Sequence, residues 1–253
     1  MIEQQLHTYL ICAGFVSAAL VFCFLLFVTA PYGRHVRAGW GPSLPNRLGW
    51  VLMETPAVLS ILYFCLTART GALGVVWVFL ALWQTHYVYR TYVFPFLLQS
   101  RGKRMPVVIA VSGMAFNVFN GYLNGRHLAW AADTYSIAWL TGPRFLIGAA
   151  MFVTGLAINV HADQVLIRLS KGRDTGYAIP HGGLYRWVSC PNYLGELIEW
   201  CGWAVLTWSP AGLVFATWTA ANLIPRALSN HRWYREQFPE YPAERKVIVP
   251  LLF

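Results

Sequence analysis

The sequence predicts an all-α fold: a polytopic integral membrane protein built as a seven-transmembrane-helix bundle, N-terminus outside or lumenal and C-terminus cytosolic. Three observations predict it. Hydrophobic residues make up 57% of the 253 and charged residues only 11%, where a soluble chain carries about a quarter. Apolar runs long enough to cross a bilayer, which takes about 20 residues of helix, recur along the chain. Basic residues gather in alternate connections between those runs.

The spans fall at about 8–30, 48–67, 71–97, 106–124, 144–169, 190–208 and 211–234. Span one is expected to stay in the protein. Its leader, Met1 to His7, lacks a basic stretch, and its apolar run exceeds that of a cleavable signal. Spans four and six are the weakest, being shorter or interrupted by Asn and Glu. Short breaks rich in Pro and Gly separate the spans, among them Ala30-Pro31-Tyr32-Gly33, Gly142-Pro143 and Ser209-Pro210. The longest cytosolic connection, 170–189, is a candidate lid, and Trp130, Tyr135 and Trp139 in 125–143 suit an interfacial aromatic belt. The tail, 241–253, ends apolar and is expected to pack back on the bundle. No loop is long enough for a second folded unit, so residues 1–253 read as one membrane domain.

Charge sets the orientation. Of the 19 Lys and Arg residues, all lie in or beside the connections after spans one, three, five and seven except Arg69, Arg126 and Arg144 on the opposite side and Arg90 within a span. The positive-inside rule then places the C-terminus in the cytosol and requires an odd number of spans. The net charge of +9 has two readings: topogenic charge beside anionic lipid, or a cytosolic mouth that attracts a polyanionic ligand. Basic residues scattered among loops argue against nucleic acid, and no obligate protein partner is evident. The five cysteines form no C-x-x-C pair and read as small buried apolar residues. With dispersed histidines and no HExxH, no metal is expected.

Function is expected where polarity is costly. Glu54, Asp163, Glu196 and Glu199 lie inside apolar spans, although the chain has only 10 acids in all. A charge at bilayer depth costs at least about 2.5–3.5 kcal/mol. Helical spacing puts Asn159 with Asp163 on one face of span five and Asn192, Glu196 and Glu199 on one face of span six. Asn222, Arg226, Asn230 and Tyr234 step by four down span seven; Tyr87, Arg90, Thr91 and Phe94 share a side of span three. Lipid is no partner for such stripes. They serve either as interhelical hydrogen-bond glue or as the walls of a shared polar chamber, and stripes on four helices favour the chamber. Glu54 precedes Pro56, which frees a backbone carbonyl and often marks a kink lining a cavity. In apolar surroundings a carboxyl favours its neutral, donating form; alternatively Glu54 pairs with Arg90 to hold the bundle.

The segment Ile179-Pro180-His181-Gly182-Gly183-Leu184-Tyr185-Arg186-Trp187 through Pro191-Asn192-Tyr193-Leu194-Gly195-Glu196 closely resembles the steroid 5α-reductase family. Glu54-x-Pro56, His86-Tyr87-x-x-Arg90-Thr91, Arg101-Gly102, Ile158-Asn159-x-His161-x-Asp163 and Arg226-Ala227 through His231-Arg232-x-Tyr234 occur in the family's order. The resemblance implies a seven-helix oxidoreductase that uses NADPH to reduce the Δ4 double bond of a 3-oxo steroid arriving through the lipid. It implies that Glu54 and Tyr87 hold the 3-keto oxygen. It further implies that Asn159, Asp163, Tyr177, Asn192, Glu196, Arg226 and Tyr234, with Arg101 and Lys103, hold the cofactor; Arg90 and Asn230 are expected to join them. Ser170 stands where some relatives have a basic residue and Asn230 where some have histidine, so Lys171 or Arg173 is expected to supply a phosphate contact. Isoprenylcysteine methyltransferases, which use S-adenosylmethionine, and sterol C14 reductases share a related C-terminal pattern, and a polyprenol or enoyl reductase would use the same residues.

Overall fold

The architecture comes from a computed structural model, and the structure describes residues 2–68, 73–98, 102–171 and 177–253. In chain order it has α1 (Ile2–Phe27), β1 (Ser43–Pro45), α2 (Asn46–Thr67), α3 (Leu73–Val88), a π-helical turn (Tyr89–Val93), α4 (Phe94–Leu97), β2 (Arg104–Pro106), α5 (Val107–Trp130), α6 (Pro143–Lys171), α7 (Pro191–Thr207) and α8 (Pro210–Gln237). Among the described residues, helix covers most of each predicted span. Four of the helices, α1, α2, α5 and α6, are long and apolar enough to cross a membrane. The helices α3 and α7 are shorter, at 16 and 17 residues, and α8 carries the polar stripe of span seven.

Proline opens α6, α7 and α8, where its missing N–H costs nothing and its fixed φ suits the first turn. Ser209 caps α8 by accepting from the Gly212 N–H at 2.9 Å. The outward faces are apolar, with Val16, Leu20 and Phe24 of α1, Leu59 of α2, Val118 of α5 and Ile147 and Val153 of α6 all exposed. That distribution suits lipid rather than water.

The core is built on tryptophan. Trp83, Trp200 and Trp203 are fully buried with Phe79, Phe152 and Phe215. Trp83 donates to the Ala57 carbonyl at 2.9 Å and Gln84 to that of Val58 at 2.9 Å, fastening α3 to α2. Glycine sets how closely the other helices approach. A side chain at Gly155 would collide with backbone of Gly195 and Glu199, and one at Gly148 with backbone of Gly202 and Leu206. Both pairs are seven apart, so each helix offers one smooth face, the small-residue packing that membrane helices favour. A second stripe, Gly113, Gly121 and Gly125 of α5, lies against Met53, Ser60 and Phe64 of α2.

Three expectations need correction. Span four does not end at 124 but runs to Trp130, because its asparagines find partners inside the protein. Tyr135 and Trp139 form no outward belt. They donate to the carbonyls of Thr207 (2.8 Å) and Leu206 (2.9 Å), satisfying the end of α7, which has no intrahelical donors left. The protein also contains a short antiparallel pair, β1 with β2, in register Ser43↔Pro106, Leu44↔Met105 and Pro45↔Arg104. The tail does pack back: the Ser189 and Cys190 N–H groups donate to the carbonyls of Lys246 (2.9 Å) and Val247 (3.2 Å), and Ile248 is buried.

Candidate active site

The π turn directly after Tyr87 decides the geometry of the site. It adds a residue to one helical turn, a device frequent at functional sites, and it carries Arg90. The Arg90 guanidinium reaches Asp163 Oδ2 at 3.4 Å and Glu196 Oε1 at 3.5 Å. It also lies over the rings of Trp50 (4.7 Å) and Phe94 (5.0 Å). Asn159 donates to Glu196 Oε1 at 3.1 Å and to the Asn192 carbonyl at 3.0 Å. Stripes on α6 and α7 thus meet the π turn, because the facing glycines bring those two helices together. A guanidinium between two carboxylates makes each ion tolerable at this depth.

Around this clamp opens a cavity of about 550 Å³. Arg90 and Asp163 line it, and so do Asn192, Arg226, Asn230, Tyr234, Tyr177 and Lys103. Arg226 donates to the Ala30 and Tyr32 carbonyls at 2.7 Å each and lies over the Tyr32 ring. Arg34 stacks on Tyr234 (4.3 Å) and Trp233 (4.9 Å). Lys103 sits 4.7 Å over Tyr177. His35 donates to Asn230 Oδ1 at 3.0 Å. Burial pushes its imidazole down to about 4, and the Arg226 charge adds to that effect. Arg34 Nη1, Arg226 Nε and Asp163 Oδ1 are buried without a hydrogen-bond partner. Such groups are costly unless a ligand satisfies them.

Glu54 and Tyr87 do not line this cavity; they lie in the adjoining layer between α2 and α3. The Trp83–Ala57 bond fixes their relation. One turn from Ala57 toward the start of α2 is Glu54, and one turn from Trp83 toward the end of α3 is Tyr87, so antiparallel helices bring them to one level. Glu54 Oε2 accepts from Asn117 Nδ2 at 3.0 Å, not from Arg90. Tyr87 is buried, stacked on Trp83 at 4.9 Å, and edged by His86 at 5.1 Å. The His86 Nδ1–H donates to Glu199 Oε1 at 2.9 Å. Glu199 therefore belongs to this layer and not to the clamp.

Most of the predicted residues converge; among the described residues Lys171 and Asn222 do not. Lys171 is exposed and does not line the cavity, while its neighbour Ser170 does. Arg101 and Arg173 lie outside the described residues. Asn222 of the span-seven stripe faces outward. Sequence reasoning missed Arg34 and His35, which carry no periodic signal because they sit in a connection. It also missed Asn117, Asn120 and Asn124, whose spacing marks one helix face by the same rule applied to the other spans.

A family model described as 3-oxo-5-alpha-steroid 4-dehydrogenase matches residues 103–253. The chain is 40% identical over 257 residues to steroid 5-alpha-reductase DET2 of Gossypium hirsutum, covering 99% of each chain. It is 41% identical to 3-oxo-5-alpha-steroid 4-dehydrogenase 1 of Bos taurus, covering 92% of each, and 42% identical to that of Mus musculus, covering 93% of this chain and 92% of the mouse protein. An acid and a phenol at one level beside a basic cavity, carried on a sequence that matches these proteins almost end to end, lead to one conclusion: the chain belongs to the 3-oxo-5-alpha-steroid 4-dehydrogenase, or steroid 5-alpha-reductase, family.

Proposed function

We propose that the protein is an oxidoreductase of the CH–CH class that reduces the 4-ene of 3-oxo steroids of the testosterone or progesterone type to 5α-3-oxosteroids, with NADPH as reductant. Its relatives carry the names of steroid 5-alpha-reductases. The observation that carries the reading is the position of Glu54 and Tyr87 in one layer, next to a cavity walled by Arg34, Lys103 and Arg226.

Unpartnered Arg34 Nη1 and Arg226 Nε offer donors for phosphate oxygens, and the rings of Tyr177 and Tyr234 keep the cations extended toward the cavity. Asn192, Asp163 and Arg90 would hold the nicotinamide end, while Glu196 and Asn159 brace them from behind. When bound, NADPH supplies a hydride, and the protein's task is placement.

The chain's own chemistry lies at the carbonyl. Reduction at C5 drives negative charge onto the 3-keto oxygen of the substrate. A neutral Glu54 carboxyl and the Tyr87 hydroxyl both donate to that oxygen and stabilise the developing enolate, a pairing of protonated acid and phenol that ketosteroid isomerase also uses. A water-poor setting between α2, α3 and α5 strengthens both bonds. All seven helices cross the membrane in this reading, N-terminus outside, so the sterol enters laterally from the bilayer and the cofactor from the cytosol.

The test is purified protein in detergent or nanodiscs with testosterone, NADPH and stereospecifically deuterated NADPH. Product heavier by two mass units with NADPH, and by three with deuterium at C5 when the transferred position of the cofactor is labelled, supports the reading. Failure to convert any 3-oxo-Δ4 steroid overturns it.

A further inference from the structure

On the side of α6 away from the basic cavity lies a second cavity, of about 620 Å³. Its walls are Val153, Ala157 and Ile158 of α6 and Leu184 of a 3-10 turn, Gly183–Arg186; His161 and Arg186 form its polar end. His161 and Asp163 are two residues apart, which puts them on opposite sides of the helix, and Asp163 lines the basic cavity. Among the described residues only the buried Tyr185 borders both cavities. Nothing in the proposed reaction uses this groove.

The sequence builds the groove locally. Gly182 and Gly183 take positive φ, 91° and 50°, a region open to glycine at no steric cost. A side chain at Gly183 would collide with the His161 imidazole, so glycine there lets the turn close over α6. Tyr185, buried, holds the turn from beneath, and just beyond it the Ser189 N–H donates to the Lys246 carbonyl at 2.9 Å. Leu184, Arg186 and Trp187 are thereby set against α6 along the groove.

The chemistry of the groove is graded from one end to the other. At the aliphatic end Val153 is exposed, as is Leu146 seven residues earlier on the same face. The other end is cationic. Arg186 is exposed, lies 4.8 Å over the Trp187 ring and forms no ion pair among the described residues. Arg168, seven residues after His161, extends the charge along α6 toward its basic end. From Val153 to His161 is about 12 Å of helix, against about 15 Å for the hydrocarbon of one leaflet. Arg and Trp at that level suit the headgroup boundary. A soluble anion would leave the aliphatic walls unused, and a neutral sterol would leave the cations unused.

We propose that this groove holds one anionic phospholipid of the cytosolic leaflet. An acyl chain lies along Val153, Ala157 and Ile158, and the headgroup phosphate meets Arg186 and His161. The guanidinium takes phosphate oxygens in charge-assisted hydrogen bonds. The basic connections of the chain mark the cytosolic side, whose leaflet carries the anionic lipid. The inference rests on the membrane placement proposed above and not on the steroid reaction.

The test is native mass spectrometry of the full chain, stripped of lipid in detergent and titrated with phosphatidylglycerol or with phosphatidylcholine of the same acyl chains. Wild-type protein is expected to take one phosphatidylglycerol at least about fivefold more tightly than phosphatidylcholine. Arg186→Gln is expected to lower the phosphatidylglycerol affinity by about fivefold, the contribution of one basic residue near an anionic surface, and to leave phosphatidylcholine unchanged. Ala157→Phe, which fills the channel, is expected to abolish binding of that one lipid. Val118→Phe, on the exposed face of α5, is expected to leave it intact. Equal affinity for the two lipids overturns the proposal, and so does an Arg186→Gln protein that keeps the wild-type preference, whether or not Ala157→Phe folds. Displacement of the lipid by inorganic phosphate marks a plain anion site and overturns it, as does a second copy of the chain in place of the lipid. Failure of the proposed reaction shows separately, as wild-type protein that binds the lipid yet converts no steroid. Failure of the membrane placement shows as protein that stays monodisperse with no detergent.

Discussion

Asn117 Nδ2 lies 3.0 Å from Oε2 of Glu54, and this contact exists because α5 carries glycine on either side of the asparagine. Gly113 and Gly121 let α5 press against α2 at Met53 and Ser60. A short amide thus reaches both the Met53 carbonyl and the carboxyl one residue on. Glu54 is thereby held toward the layer it shares with Tyr87.

Glu54→Gln and Tyr87→Phe are each expected to lower steroid turnover by about 10²–10³-fold, the usual loss for one oxyanion donor. Neither residue lines the basic cavity, so NADPH affinity, read by fluorescence titration, is expected to stay within about threefold. Full activity in both variants would refute the assigned roles.

Arg90→Met leaves Asp163 and Glu196 facing each other without their cation. Breaking a buried ion network by removing one member costs about 3–5 kcal/mol. The expected result is a large drop in thermal midpoint in detergent. Replacing Asp163 by Asn in the same chain is expected to recover part of that loss, which a double-mutant cycle measures.

Gly195→Ala places a methyl against the backbone of Gly155 and Asn159. Overpacking of this kind costs about 1–3 kcal/mol. Because α6 and α7 must separate to admit it, the substitution is also expected to weaken cofactor binding. Gly74→Ala, where nothing lies within 4 Å, serves as the comparison and is expected to leave both properties unchanged.

His35 gives a pH dependence outside the spans. Its folded value is near 4 against an ordinary 6.5, through burial and the neighbouring Arg226. A base with a lowered folded pKa binds its proton more readily when unfolded. Its contribution is therefore present above about pH 6.5 and is lost as pH falls toward 4. The thermal midpoint of the ligand-free protein is expected to drop across that window, and His35→Gln to make the drop shallower. Parallel pH curves for the two proteins would contradict this.

The mostly helical architecture and the polar faces of its helices were legible in the sequence because helical period is a local property. Asn159 with Asp163, and Asn192 with Glu196, had to share a face whatever lay opposite. The limit of span four was harder to read. A buried asparagine or arginine looks like an interruption until its partner is known, as Trp203 and Met53 are for the α5 asparagines.

What the sequence alone determined, then, is composition by segment: apolar helices, the acids within them, basic connections, and motifs resembling a known family. Only the tertiary structure decided which group meets which. Arg90, carried on the π turn, meets Asp163 and Glu196, while Glu54 meets Asn117. Glycine faces on α5, α6 and α7 set the depth and rotation at which those helices dock. Such choices depend on contacts between residues far apart in the chain, where steric fit rather than local periodicity selects one partner among several of equal chemical merit.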